Sequence, residues 1–198
     1  MKKEPGRTDK RKKPLALRFM VSLLKIGIFV FLVLALSYLI SAFVTQRIEV
    51  HNVSMQDTLM EGDIVLMNKI TYRIREPKRY EIICFDSDYE REGLIKRVIG
   101  LPGETVLIRE GMIFIDGNQI KDVKGLPKIE DPGLAAEEIH LVKDEAHPEN
   151  NEYFVIGDNR EKSIDSRYIE IGNVKEKDIL GKAGLRIYPF DRFGFLKK

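Results

Sequence analysis

Cysteine is almost absent from this sequence, and its scarcity narrows the chemistry at once. The one thiol, Cys84, has no second cysteine for an intramolecular disulfide and cannot alone build a zinc site, which leaves neither a stapled scaffold nor a metal knuckle. Histidine is scarce too. His140 and His147 fall in a polar, proline-bearing segment and His51 in the stretch where the folded domain begins, so a surface role suits all three better than that of catalytic base. The chain also lacks a glycine-rich phosphate loop, metal-ligand spacing among its acidic, His and Cys residues, and any internal repeat. No cofactor and no metal are therefore expected. With 198 residues, 43% hydrophobic and 32% charged, the sequence excludes a large multidomain machine, wholesale disorder and a polytopic membrane protein.

Long apolar runs are equally rare, and the single one is informative. Ile26 to Val44 is free of charge and proline, and as a helix it covers roughly 28 Å, close to the hydrocarbon thickness of a bilayer. Before it, Lys2, Lys3, Arg7, Lys10, Arg11, Lys12, Lys13, Arg18 and Lys25 face only Glu4 and Asp9. The formal net charge of +2 thus hides a strongly basic tail and a net acidic remainder. A cleavable secretory signal has a shorter apolar region and a small-x-small terminus, which Ser41-Ala42-Phe43-Val44-Thr45 does not supply. The reading is an uncleaved anchor: residues 1–25 a basic cytoplasmic tail, 26–44 a transmembrane helix, 45–198 on the far side of the membrane by the positive-inside rule. The span accounts for the basic charge, with anionic lipid as its partner, so no nucleic-acid partner is expected.

After the span, short runs rich in Val, Ile, Phe and Tyr alternate with Gly, Asp, Asn and Pro: RIEVHNV, DIVLMNKI, EIICFDS, GLIKRVIG, ETVLIRE, MIFIDG, EYFVIGD and KAGLRIYP. This spacing predicts a mostly β protein, one amino-terminal helix followed by an all-β domain. Glu110-Gly111 and Asp116-Gly117 carry hairpin-turn chemistry. The segment 121–151, acidic and bearing Pro127, Pro132 and Pro148, reads as a small inserted excursion with a short helical stretch over 134–142.

Three blocks hold the chemistry. Ser54-Met55-Gln56-Asp57-Thr58-Leu59 leads into Glu61-Gly62-Asp63; Lys96-Arg97-Val98-Ile99-Gly100-Leu101-Pro102-Gly103 follows; Gly157-Asp158-Asn159-Arg160-Glu161-Lys162-Ser163-Ile164-Asp165-Ser166-Arg167 comes last. In this order behind a single span, they resemble bacterial type I signal peptidase, from about Val50 to the end of the chain. The resemblance implies a membrane-bound serine endopeptidase that removes signal peptides from exported preproteins after Ala-x-Ala-like sites. Ser54 matches the family nucleophile and Lys96 its general base. A serine hydroxyl needs a base near neutral pH, and a lysine can serve only if apolar surroundings disfavour its charged form.

By the same resemblance Ser163 orients the lysine amine, while Asp158, Asp165, Arg167 and Arg97 form salt bridges that brace the pair. The Ser54 backbone N–H matches an oxyanion donor, and Asn52, where the family usually has glycine or serine, is a second possible donor through its amide. Met55, Leu59, Leu94 and Ile95 are the expected walls of the pockets for small side chains. Two departures stand out. Asp57 replaces a family proline, bringing a carboxylate close to the nucleophile, and Tyr80-Glu81 stands where Gly-Asp is common. The alternatives left open are a catalytically weak or silent homologue that binds exported segments, and a Ser-Lys protease with few dedicated substrates.

Overall fold

The computed structural model describes residues 15–121 and 126–196. The chain divides into two units, Met1–Ala42 and Phe43–Lys198. The first is helix α1, Leu15–Phe43, and its apolar stretch Leu17–Leu39 has a mean hydropathy of 2.6 and is long enough to cross a membrane. The helix begins ahead of Ile26, where the sequence reading set its start. Arg18 and Lys25 lie inside it, because both are good helix formers and their aliphatic stems can lie along apolar surface while the charge reaches water. Of the basic tail, Lys2 to Lys13 fall outside the described residues.

The second unit is β-rich. Its strands are β1 Thr45–Glu49, β2 Ile64–Asn68, β3 Ile82–Ser87, β4 Glu90–Gly100, β5 Thr105–Arg109, β6 Met112–Ile115, β7 Asn118–Gln119, β8 Ile139–His140, β9 Glu152–Ile156, β10 Val174–Lys175, β11 Ile179–Tyr188 and β12 Gly194–Phe195. An eight-stranded sheet runs β1-β2-β11-β3-β4-β9-β10 with β12 added to β11, and a four-stranded sheet runs β7-β6-β5-β8. Both expected hairpins form. Glu110-Gly111 joins β5 to β6 and Asp116-Gly117 joins β6 to β7, each with positive φ at both loop residues, the geometry that matches strand twist.

The large sheet is covered on both faces, which is why β3 and β4 read as nearly continuous apolar runs. Ile82, Cys84 and Ile95 pack with Met55, Leu59 and Met67, whereas Ile83, Phe85, Leu94 and Val98 pack with Tyr153 and Val155. The small sheet has its own core of Val106, Ile108, Ile113 and Ile115 against Ile99 and Phe154. The 121–151 excursion is less separate than expected. A 3-10 turn at Gly133–Ala136 stands in place of a helix over 134–142, and β8 joins the small sheet through β5. Burial of Ile129, Ala135 and Leu141 in the small-sheet core holds this segment down.

Candidate active site

The segment from Val50 to Asp63 carries Ser54 between β1 and β2, tied at its base by Val50 N–H to Asp63 O and Gly62 N–H to Val50 O, at 2.9 and 2.8 Å. Met55 and Leu59 are fully buried beneath it and anchor the loop. Each contributes about 1.5–3 kcal/mol through burial. Within the loop, Met55 O accepts from Thr58 N–H and Leu59 N–H, at 3.0 and 2.8 Å, closing a turn whose third residue is Asp57.

Lys96 lies in the middle of β4, paired across to Ile83 of β3. Its Nζ is 2.6 Å from Ser54 Oγ, and relative exposures are 1% for Lys96 and 6% for Ser54. Such burial disfavours the charged amine. Next in the strand, Arg97 sends Nε and Nη2 to the two carboxylate oxygens of Asp158 at 2.8 and 2.6 Å, a bidentate ion pair buried on both sides. Asp158 Oδ2 also accepts from Thr58 Oγ1 at 2.5 Å. The ion pair therefore joins the strand that carries Lys96, the carboxyl end of β9 and the turn that follows Ser54.

Arg167 makes a second buried bidentate pair with Asp165, at 2.8 and 3.0 Å, and donates to the carbonyls of Arg160 and Ser163. Asp165 Oδ2 in turn accepts the Gly157 N–H at 2.9 Å. Gly157 has no room for a side chain: a Cβ there would stand 2.1 Å from Ser163 Oγ and 2.4 Å from the Ser54 carbonyl oxygen. Asn159, inside the third block, donates its backbone N–H to Ser54 O at 3.1 Å and its amide to Val53 O at 3.0 Å. Thr58 and Arg186, whose Nη1 reaches Thr58 O at 3.0 Å, were missed. The Asp158-Asn159 pair inside the third block was the available signal for Thr58. Arg186 had none, because its contact depends on where β11 ends.

Several expectations need correction. Asn52 presents its carbonyl rather than its amide: Oδ1 accepts from Ser54 Oγ at 2.7 Å and Ser54 N–H at 3.3 Å. Among the described residues, Ser163 Oγ is buried and has no hydrogen-bond partner, Lys96 included. It packs over the Gly157 Cα beside the Ser54 carbonyl instead. Of the expected pocket residues, Met55 and Ile95 line a groove of about 300 Å³ with Ile48, Val50, Asn52 and Gly93. Leu59 lies beneath that groove in the core, and Leu94 packs in the separate cluster around Phe85, because neighbouring strand residues point to opposite faces.

The two departures from the resembled pattern are explained locally. Tyr80 has φ 68°, a backbone that favours glycine, and its carbonyl accepts from Arg97 Nη1 at 2.8 Å. Glu81 is held by Arg75 at 2.7 and 2.9 Å and by Lys182 at 2.9 Å. Burial lifts its carboxyl pKa, but the hydrogen bonds from Arg75, Lys182 and the Lys78 N–H outweigh this and hold it down at about 2. Asp57 is exposed, with its carboxylate in solvent, and takes φ 87°. Proline is locked near φ −65° and cannot follow. Asp57→Pro is accordingly expected to lower stability by more than about 1 kcal/mol, whereas Asp57→Gly preserves both melting temperature and activity. Thermal unfolding of the two full-length variants in detergent checks this; a proline variant as stable as the parent would contradict the turn.

A buried serine hydroxyl against a buried lysine amine, beside a groove in a β domain that follows an apolar helix, is the outline of a serine peptidase. Comparison with known proteins narrows that class. The family model described as signal peptidase, peptidase S26 matches residues 23–188. Signal peptidase I V of Bacillus subtilis (strain 168) is 34% identical over 153 residues, covering 75% of this chain and 88% of that protein. Signal peptidase I of Bacillus caldolyticus is 33% identical over 157 residues, 77% of this chain and 85% of that one. A solved signal peptidase I from Enterococcus faecalis V583 is 35% identical, covering 55% of this chain and 97% of that one with TM-score 0.40. The chain belongs to the signal peptidase family, peptidase S26.

Proposed function

We propose that this chain cleaves amino-terminal signal peptides from exported preproteins after Ala-x-Ala-like sites, with Ser54 as nucleophile and Lys96 as general base. The observation that carries the reading is the 2.6 Å contact between Lys96 Nζ and Ser54 Oγ, with both groups buried. Ser54 Oγ attacks the scissile carbonyl carbon while neutral Lys96 takes its proton. The carbonyl oxygen gains the electron pair and is met by the Ser54 N–H. Collapse breaks the C–N bond, the Lys96 proton leaves on the departing amine, and the acyl group stays on Ser54 as an ester. Water, deprotonated by the same amine, then releases the signal peptide's new carboxylate. The Arg97–Asp158 and Asp165–Arg167 pairs fix the backbone around the dyad, with Ser163 buried beside it.

The groove favours an extended substrate. Among the described residues β1 pairs on one side only, with β2, and β9 meets β4 only over Arg97–Gly100, so the β4 backbone at Gly93–Ile95 is not covered by β9. A peptide strand can hydrogen-bond along either edge, placing alternate side chains against a groove whose apolar lining includes Val50, Met55 and Ile95. Helix α1 anchors the domain, with the basic tail cytoplasmic and the β domain across the cell membrane.

The test uses the full chain in detergent and a preprotein with an Ala-x-Ala site. Cleavage after the second alanine, identified by sequencing the new amino terminus, is expected, and Ser54→Ala is expected to reduce it at least about 10³-fold. Undiminished cleavage by Ser54→Ala would sink the assignment.

A further inference from the structure

Asn52 stands two residues before Ser54, is half-buried and lines the groove. Its Oδ1 accepts two hydrogen bonds from one residue, from Ser54 Oγ at 2.7 Å and from Ser54 N–H at 3.3 Å. A backbone N–H can only donate, so the atom facing it is the side-chain oxygen; a turned amide would set N–H against N–H. Both groups thus occupied are ones that acyl transfer needs. The hydroxyl proton must point at Lys96 before that amine can accept it. The N–H must face the substrate's oxygen when negative charge develops there.

We infer that Asn52 is a positioning residue that keeps Ser54 idle, its side-chain carbonyl standing in for the substrate's oxyanion until a peptide fills the groove. The inference rests on Ser54 being the nucleophile. Lys96 Nζ donates to Ser54 Oγ in this arrangement while the Ser54 proton goes to Asn52, so hydrogen bonding runs from the lysine through the serine to the asparagine, opposite to the direction of proton transfer. Reversal requires the Asn52 oxygen to leave. Asn52 lines the groove together with Val50, Met55 and Ile95, so a strand seated there bears directly on its side chain. Binding energy from residues remote from the scissile bond is in this way spent on releasing the nucleophile. A small acyl compound that leaves the groove empty lacks that energy.

The consequence is a selectivity, read as the ratio of kcat for a preprotein, whose binding has already displaced Asn52, to kcat for a minimal alanyl ester, whose binding has not. In full-length Asn52→Ala the ester rate is expected to rise about tenfold, the worth of one such hydrogen bond, while preprotein cleavage changes much less, so the ratio falls. Asn52→Asp keeps size and acceptor but adds charge beside Lys96. It is expected to depress both rates and to move the acid limb of the kcat/KM profile to higher pH, because a neighbouring carboxylate favours the protonated amine. A residue with only a structural role moves neither the ratio nor the limb. A tenfold or larger fall in kcat for both substrates in Asn52→Ala, at unchanged melting temperature, overturns the inference and makes the side chain an oxyanion donor. An unchanged ratio overturns it as well, as does an unshifted limb in Asn52→Asp if the alanine variant fails to fold. Ester or preprotein turnover that survives in Ser54→Ala instead removes the nucleophile reading beneath it, and so separates the two failures.

Discussion

Lys96→Met is expected to abolish preprotein cleavage, by about 10⁴-fold or more, while leaving the protein as stable as the parent or more so. The first part follows from removing the only amine within reach of the Ser54 hydroxyl among the described contacts. The second follows from burial. At 1% exposure the lysine sits where an ammonium group is poorly solvated, and methionine fills similar volume without a charge to desolvate. Measuring kcat/KM and the urea midpoint on the same preparation gives both answers. A variant that loses activity only in step with lost stability would assign Lys96 to the scaffold instead of the chemistry.

Asp158→Ala is expected to act in the opposite manner, on the fold first. It removes both acceptors of the Arg97 fork and the acceptor of Thr58, while the guanidinium stays buried at 1% exposure. Breaking one partner of a buried pair typically costs about 3–5 kcal/mol, a large share of the roughly 5–15 kcal/mol that holds a domain folded. Urea unfolding of the full chain should show an unfolding free energy lower by that amount. Activity measured well below the new midpoint should still fall, because Thr58 closes the turn that carries Ser54. Asp158→Asn, which keeps one acceptor, should lie between. An unfolding free energy within about 0.5 kcal/mol of the parent for the alanine variant would show that the ion pair braces nothing.

These contrasts also show what the sequence could and could not reveal. The β domain was legible because its strands alternate or run apolar between turn residues, and Glu110-Gly111 and Asp116-Gly117 have few other uses. The pairing of Ser54 with Lys96 across forty-two positions was legible only through three blocks read together. Helix α1 was misjudged at its start because Arg18 and Lys25 were read as ending an apolar run, although a long basic side chain does not stop a helix. Leu94 was placed in the groove beside Ile95, yet a step of one residue along a strand reverses the face. Asp57 and Asn52 were beyond reach for another reason. A residue type does not state that its φ is positive, nor which end of an amide turns toward a neighbour.

Cys84 carries a practical consequence. It is the only thiol in the chain, lies on β3 at 2% exposure, and burial pushes its pKa up to about 12. A thiol kept protonated and inaccessible is a poor nucleophile toward alkylating reagents. The unaltered protein is therefore a ready-made blank for labelling. A cysteine introduced at Ile169 or Phe190, both more than four-fifths exposed, will be the one position that reacts with a maleimide dye. Distance and depth measurements against a bilayer then need no background substitution.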